Sequence, residues 1–314
     1  MLVNQLTMAE MKSILLLILA GATLLPAAAQ VAPPPGPPAA GHRPGLFARE
    51  NLTAWCVVPF DAKQRGPEAR AEMLQRLGFR NFAYDWRDNH VPTFDAEMEA
   101  LQKHGVNLAA WWFPTEAADP KARTILEVIK HYHLHPQLWV MGGGSATKND
   151  AERDQRIQQE AERIRQIVLL AAPCNCPVEL YNHNGWFGVP DNEIAVIERL
   201  KQQGVTGIGM VYNFSHGHAD MADFPAIWKR MQPYVVAVNV TGMVPDERLI
   251  PPSQGDQELA MLRVIQQSGW YGPIGLIAEQ GGDAEITLHN GIVGLEWLRQ
   301  ELAQPGSGGP RPKF

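Results

Sequence analysis

From Asn51 onward the chain repeats one unit eight times: a short apolar run, then a longer amphipathic one. The apolar runs are Leu52–Val58, Asn81–Trp86, Asn107–Phe113, Gln137–Met141, Val178–His183, Gly207–Tyr212, Tyr234–Val240 and Pro273–Ala278. Several are continuous rather than alternating, which is the pattern of a strand covered on both faces. The intervening runs have helical spacing. Ile157, Ala161, Ile164 and Val168 recur at i, i+4, i+7 and i+11, and Leu288, Ile292, Leu295 and Leu302 line the last one. Pro or Asp opens several of these helices (Pro67, Pro120, Asp191, Asp223), and Gly closes others (Gly78, Gly105, Gly204, Gly269), as helix termini favour. A strand, a crossover helix and another strand make a parallel pair. An open doubly wound sheet would show Gly-x-Gly-x-x-Gly after its first strand, but Pro59-Phe60-Asp61 stands there. Eight such units predict an α/β fold with a single closed (β/α)8 TIM barrel over residues 51–303.

The flanks have a different character. Lys12, the apolar run Ile14–Leu25 and the ending Pro26-Ala27-Ala28-Ala29 form a secretory signal peptide over 1–29, with cleavage after Ala29. The apolar run is shorter than the ~20 residues of a spanning helix. The expectation is an exported protein, periplasmic or secreted, with no stable membrane insertion once the signal is removed. Residues 30–50 are rich in Pro, Ala and Gly and predict a linker, and residues 304–314 predict a disordered tail. The formal net charge of −6 argues against nucleic acid as a partner. Of the three cysteines, Cys56 lies in the first predicted strand. Cys174 and Cys176 leave open a metal half-site, a strained bridge or two plain thiols.

In a barrel of this kind, active sites sit on the loops that follow the strands. That rule places Cys174, Cys176 and the histidines 131, 133 and 135 at the opposite end, because they precede strands, and it favours plain thiols. On the working face it gathers Asp85 after strand two, Trp112 in strand three, Gly142-Gly143-Gly144 after strand four, and Tyr181 and His183 after strand five. Asn213, His216 and His218 follow strand six, Asn239 strand seven and Glu279 strand eight. Aromatic rings cover the C–H faces of a sugar while amides, imidazoles and carboxylates bond its hydroxyls. A small-molecule carbohydrate or sugar derivative is therefore the expected partner. The glycine loop could cradle a phosphate through its backbone N–H groups, although it lacks the Gly-Lys-Ser/Thr ending of a P-loop.

These strand ends resemble those of the xylose-isomerase-like sugar isomerase/epimerase barrels: Tyr181-Asn182-His183 after strand five, Asn213-x-x-His216 after strand six, and Glu279 closing strand eight. The resemblance implies a divalent metal held by Glu, Asp, His and Glu from strands five to eight, with proton transfer beside a sugar carbonyl. The corresponding positions here are Tyr181, Asn213, Asn239 and Glu279, of which only Glu279 keeps the type. Glu179 lies deeper on the same face. A rebuilt site would draw on Glu279, His183 and His216, with His218 near, and would suit Zn or another first-row metal. The resemblance thus implies an isomerase, epimerase or lyase with Glu279, His183 and His216 in catalytic roles. Asp85, Trp112, Tyr181, Asn213, His218 and Asn239 would bind substrate. The alternative is a non-catalytic sugar-binding barrel that has lost the metal site.

Overall fold

A computed structural model describes residues 45–279 and 281–314, so the expected signal peptide and most of the expected linker lie outside the described residues. Eight parallel strands close in chain order: β1 (Leu52–Trp55), β2 (Asn81–Tyr84), β3 (Asn107–Phe113), β4 (Gln137–Met141), β5 (Val178–Tyr181), β6 (Gly209–Asn213), β7 (Val235–Val240) and β8 (Ile274–Ile277), with β8 paired back onto β1. Around them lie α1 (Pro67–Arg76), α2 (Phe94–Lys103), α3 (Pro120–His131), α4 (Asp150–Ala171), α5 (Pro190–Gln202), α6 (Phe224–Met231), α7 (Glu258–Gln267) and α8 (Ala284–Ala303). This is the single TIM barrel that the eightfold pattern predicts.

Two apolar layers hold it. The larger lies between strands and helices, where the continuous apolar strands meet the helix stripes. The second fills the barrel interior and is built on four large rings, Trp55, Trp112, Trp139 and Tyr181. Trp139 sits 4.2 Å from Trp55 and 4.7 Å from Trp112, centroid to centroid. The rings fit because neighbouring strands supply Ala83, Ala110, Ala237 and Gly275 at the same depth. A Cβ on Gly275 would come within 2.2 Å of the Trp55 ring. Alternating large and small inward residues is how a narrow barrel reaches interior packing density.

The folded unit is longer at both ends than the sequence suggests. Residues 45–50 are not linker. Phe47 is buried, and the Asn51 amide donates to the carbonyls of Leu46 (2.6 Å) and Gly272 (2.8 Å), tying this segment across the base of the barrel. Residues 304–314 are not a free tail either. Glu301 accepts from the backbone N–H groups of Gly306 and Gly308, Trp297 Nε1 donates to the Gly309 carbonyl, and Gln254 donates to the Pro312 carbonyl at 2.8 Å. Pro- and Gly-rich chain has few side chains to bury, but its backbone groups still bond when a fixed partner is near.

The opposite end of the barrel is as expected. His133 and His135 line a bowl of about 670 Å³ with Asn81, Asn107, Gln137 and Asn175, below the strand starts. Cys174 and Cys176 are buried, unbridged thiols, bonded weakly to the carbonyls of Leu126 and of Cys174 itself.

Candidate active site

The mouth is assembled from two halves above the aromatic floor. On the β5–β6 side, the Asn182 side chain extends the sheet by one step. It accepts from the Asn213 N–H (2.8 Å) and donates to the Asn213 carbonyl (3.2 Å). That fixes Asn213, whose amide donates to the Tyr181 hydroxyl at 2.8 Å and whose oxygen caps Ser215 N–H at 3.0 Å. The capped turn, Phe214–His216, carries His216 back over the barrel. Its ring lies 4.5 Å from His183 and 5.9 Å from Tyr181. Burial, with His183 and His218 nearby, lowers the His216 pKa to about 4, and burial and Arg87 lower that of His183. Both rings are therefore neutral at pH 7 and can donate or accept. Asn239 pairs in register with Asn213, is fully buried, and has no hydrogen-bond partner on either amide atom among the described residues. His218 stays with its own loop, bonded through Nδ1 to the Ser215 carbonyl, with Nε2 unpartnered.

On the β8–β1–β2 side, one Asp85 oxygen accepts from the N–H groups of Val57 (3.1 Å) and Val58 (3.2 Å). This clamp holds the chain just after β1, where Cys56 adopts a left-handed φ of 48°. Such a conformation in a non-glycine residue persists when its surroundings over-determine it. It ends β1 at Trp55 and brings the thiol near the Glu279 carboxyl, where each affects the other's proton affinity. The second Asp85 oxygen is buried and unpartnered. Burial raises the Asp85 pKa to about 7 against the pull of the Val58 N–H and Arg87. Burial likewise raises the Glu279 pKa, opposed by Arg87 and Cys56, and holds the Cys56 thiol well above its usual range. Tyr181 lies within the field of both Cys56 and Glu279, which joins the two halves electrostatically.

The sequence-based candidates thus divide. Tyr181, His183, Asn213 and His216 form one contact cluster with Asn239 beside it. Asp85 and Glu279 belong to the second half, Trp112 lies in the floor, and His218 is held by its turn. Cys56 and Arg87 are the additions. Cys56 was read as mid-strand, and its positive φ depends on Asp85, 29 residues away, so nothing local announces it. Trp55 and Trp139 were findable, because they share the two-residue inward parity of Tyr181 on paired strands.

The donor set does not fit the divalent metal that the resemblance implies. Asn213 already bonds Tyr181 and Ser215, burial raises the Tyr181 pKa well above 10.0 and so keeps its phenol protonated, and one carboxyl remains. Hard cations want several charged oxygens. Among the described residues no three His, Cys, Asp or Glu side chains stand close enough to share an ion, and that includes Glu279, His183 and His216. The carbonyls of Gly143 and Gly144 accept from Phe187 and Trp186 N–H, and Gly142 packs directly on the Phe187 ring.

No protein-family model and no curated protein sequence matches the chain. Solved structures do match in fold. The 3-keto-D-glucoside 4-epimerase of E. coli is 13% identical with a TM-score of 0.59, over 80% of this chain and 99% of that one. A family 2 AP endonuclease of Brucella melitensis is 17% identical with a TM-score of 0.58, over 76% and 96%. The D-psicose 3-epimerase of Clostridium cellulolyticum H10 is 11% identical with a TM-score of 0.54, over 80% and 99%. These likenesses show a shared (β/α)8 barrel fold.

Proposed function

We propose that the protein is a carbohydrate-acting enzyme that moves a proton beside a sugar carbonyl, as an isomerase, epimerase or lyase, at the C-terminal mouth of the barrel. One observation carries the reading: a partly buried carboxyl of raised pKa, Glu279, beside Cys56, stands at the strand ends with two neutral imidazoles over an aromatic floor. A carboxyl whose proton affinity burial raises is a stronger base and suited to taking a proton and returning it. Glu279 takes the proton from the carbon beside the carbonyl, and the C–H electron pair moves onto the carbonyl oxygen. His183 or His216 donates an N–H to that oxygen. Delivery of a proton to the opposite face of the same carbon is epimerisation, and to the neighbouring carbon isomerisation. Tyr181, Asn213 and Asn239 bond hydroxyls, Asp85 holds the Cys56 turn, and Trp112 lies under the ring. The sugar epimerases among the structural neighbours and the acidic net charge support a sugar over a nucleic acid. The reading includes export from the cytoplasm, which the N-terminal signal pattern supports.

The test is proton exchange. Wild-type protein incubated in D2O with a panel of aldoses, ketoses and keto-sugars is expected to exchange one carbon-bound hydrogen, read by 1H NMR. Glu279→Gln is expected to lower that rate about 10²–10⁴-fold while the fold and sugar binding persist. Sugar binding without exchange in the wild type would instead favour the non-catalytic pocket, which the neutral Tyr181–Asn213–Asn239 side also suits.

A further inference from the structure

Arg87 follows β2 at the rim of the mouth. Its guanidinium carbon lies 5.5 Å from the centre of the Phe60 ring, and Phe60 itself packs on the barrel-interior layer. One N–H donates to the Trp86 carbonyl at 2.8 Å, which leaves most of the five donors of the fork open. Its charge acts at once on Asp85, Cys56, His183 and Glu279. Among the described residues it forms no ion pair, whereas its neighbours are engaged: Arg65 with Asp61, Asp283 and Glu285, and Arg70 with Glu97. Arg87 is exposed, so these donors are accessible to a ligand at the rim.

We propose that the substrate is an acidic sugar whose carboxylate pairs with Arg87 while the carbon next to it faces the Glu279 half of the mouth. The inference rests on the proton-transfer reading above and narrows its substrate class. Two physical arguments carry it. A planar guanidinium stacked on an aromatic ring is pre-organised for two parallel bonds to a carboxylate. Removing a proton beside a carboxylate also puts a second negative charge on the carboxylate oxygens, and the mouth must compensate it. The metal that would do so does not fit these residues, and Arg87 is the cation placed to act. In the step itself the C–H bond breaks, its proton goes to Glu279, and its electron pair moves onto the oxygens that face Arg87. Return of a proton to that carbon completes the exchange without an oxidant or reductant.

Full-length mature protein would be titrated calorimetrically with D-galacturonate and D-glucuronate, with D-galactose and D-glucose, and with D-glucose 6-phosphate. The uronates are expected to bind about tenfold or more tightly than the neutral sugars. Arg87→Gln is expected to bring them down to the neutral-sugar level, and Arg87→Lys to restore part of the difference. Circular dichroism would confirm that each variant is folded. Neutral sugars binding as tightly as uronates, or a sugar phosphate preferred over both, would overturn the acidic-sugar inference and leave the proton-transfer reading standing. Equal loss of uronate preference in Arg87→Lys and Arg87→Gln would remove the paired-charge geometry. No binding of any carbohydrate, acidic or neutral, would bring down the reading on which the inference rests.

Discussion

Glu179 lies one inward step below Tyr181, 1% exposed, and accepts the Gly209 N–H at 2.5 Å. Position 209 has no room for a side chain, since a Cβ there would meet this carboxyl at 2.7 Å. Burial raises the Glu179 pKa from 4.5 to about 8. A raised carboxyl pKa means that the folded state binds the proton more tightly than the unfolded one. The stability this gives is complete below pH 4.5 and is lost as pH rises through about 8. At about 1.4 kcal/mol per unit, the window corresponds to a loss on the order of a few kcal/mol. Asp85, raised to about 7, adds in the same direction. Glu179→Gln keeps the acceptor for Gly209 and cannot ionise. Urea unfolding at pH 5 and pH 9 should show a much smaller drop in the variant, with a remnant from Asp85 below about pH 7. An unchanged drop would mean that Glu179 is already ionised in the folded protein.

At the scale of elements, the loops after β4 and β5 are one unit. Trp186 and Phe187 donate to the carbonyls of Gly144 and Gly143, and a Cβ on Gly142 would come within 2.2 Å of the Phe187 ring. Gly142→Ala is expected to cost about 1–3 kcal/mol, the range for overpacking, and to shift the His183 loop. Thermal unfolding and the His183 and His216 imidazole NMR signals would check both effects. The strands and helices themselves were legible because periodicity is local: the apolar runs from Asn81, Asn107, Gln137 and Val178 start where β2 to β5 do. The rule that strand ends share a rim also names the residues at the mouth. What stayed hidden depends on distant contacts. The Cys56 turn needs Asp85, the glycine loop needs Phe187, and the terminal segments need Asn51, Gln254 and Trp297. Composition alone reads those ends as linker and tail.

For the molecule as a whole, the terminal segments set its limits. Two chains can be compared, one starting at Gly45 and one at Leu52. A chain starting at Leu52 loses the buried Phe47 ring and the Asn51 bonds, and should be destabilised by about 3–5 kcal/mol, the range for deleting a core Phe. Chemical denaturation of the two truncations would decide it, and equal midpoints would show the 45–51 segment to be dispensable.

The closed sheet also has a seam. Leu52 pairs with Ile274 and Trp55 with Ile277, and the flanking loops clasp there through Arg65, which bridges Asp61 to Asp283 and Glu285. Within the barrel, β1 is thus bonded to β8, the strand made last. At about 5–20 residues per second, β1 waits roughly ten to forty-five seconds for that neighbour. Throughout that interval the growing sheet has two raw edges able to pair with another chain. A nascent polypeptide of this design has no half that is safe alone, so its vulnerable period is set by the timetable of synthesis and not by the strength of the finished barrel.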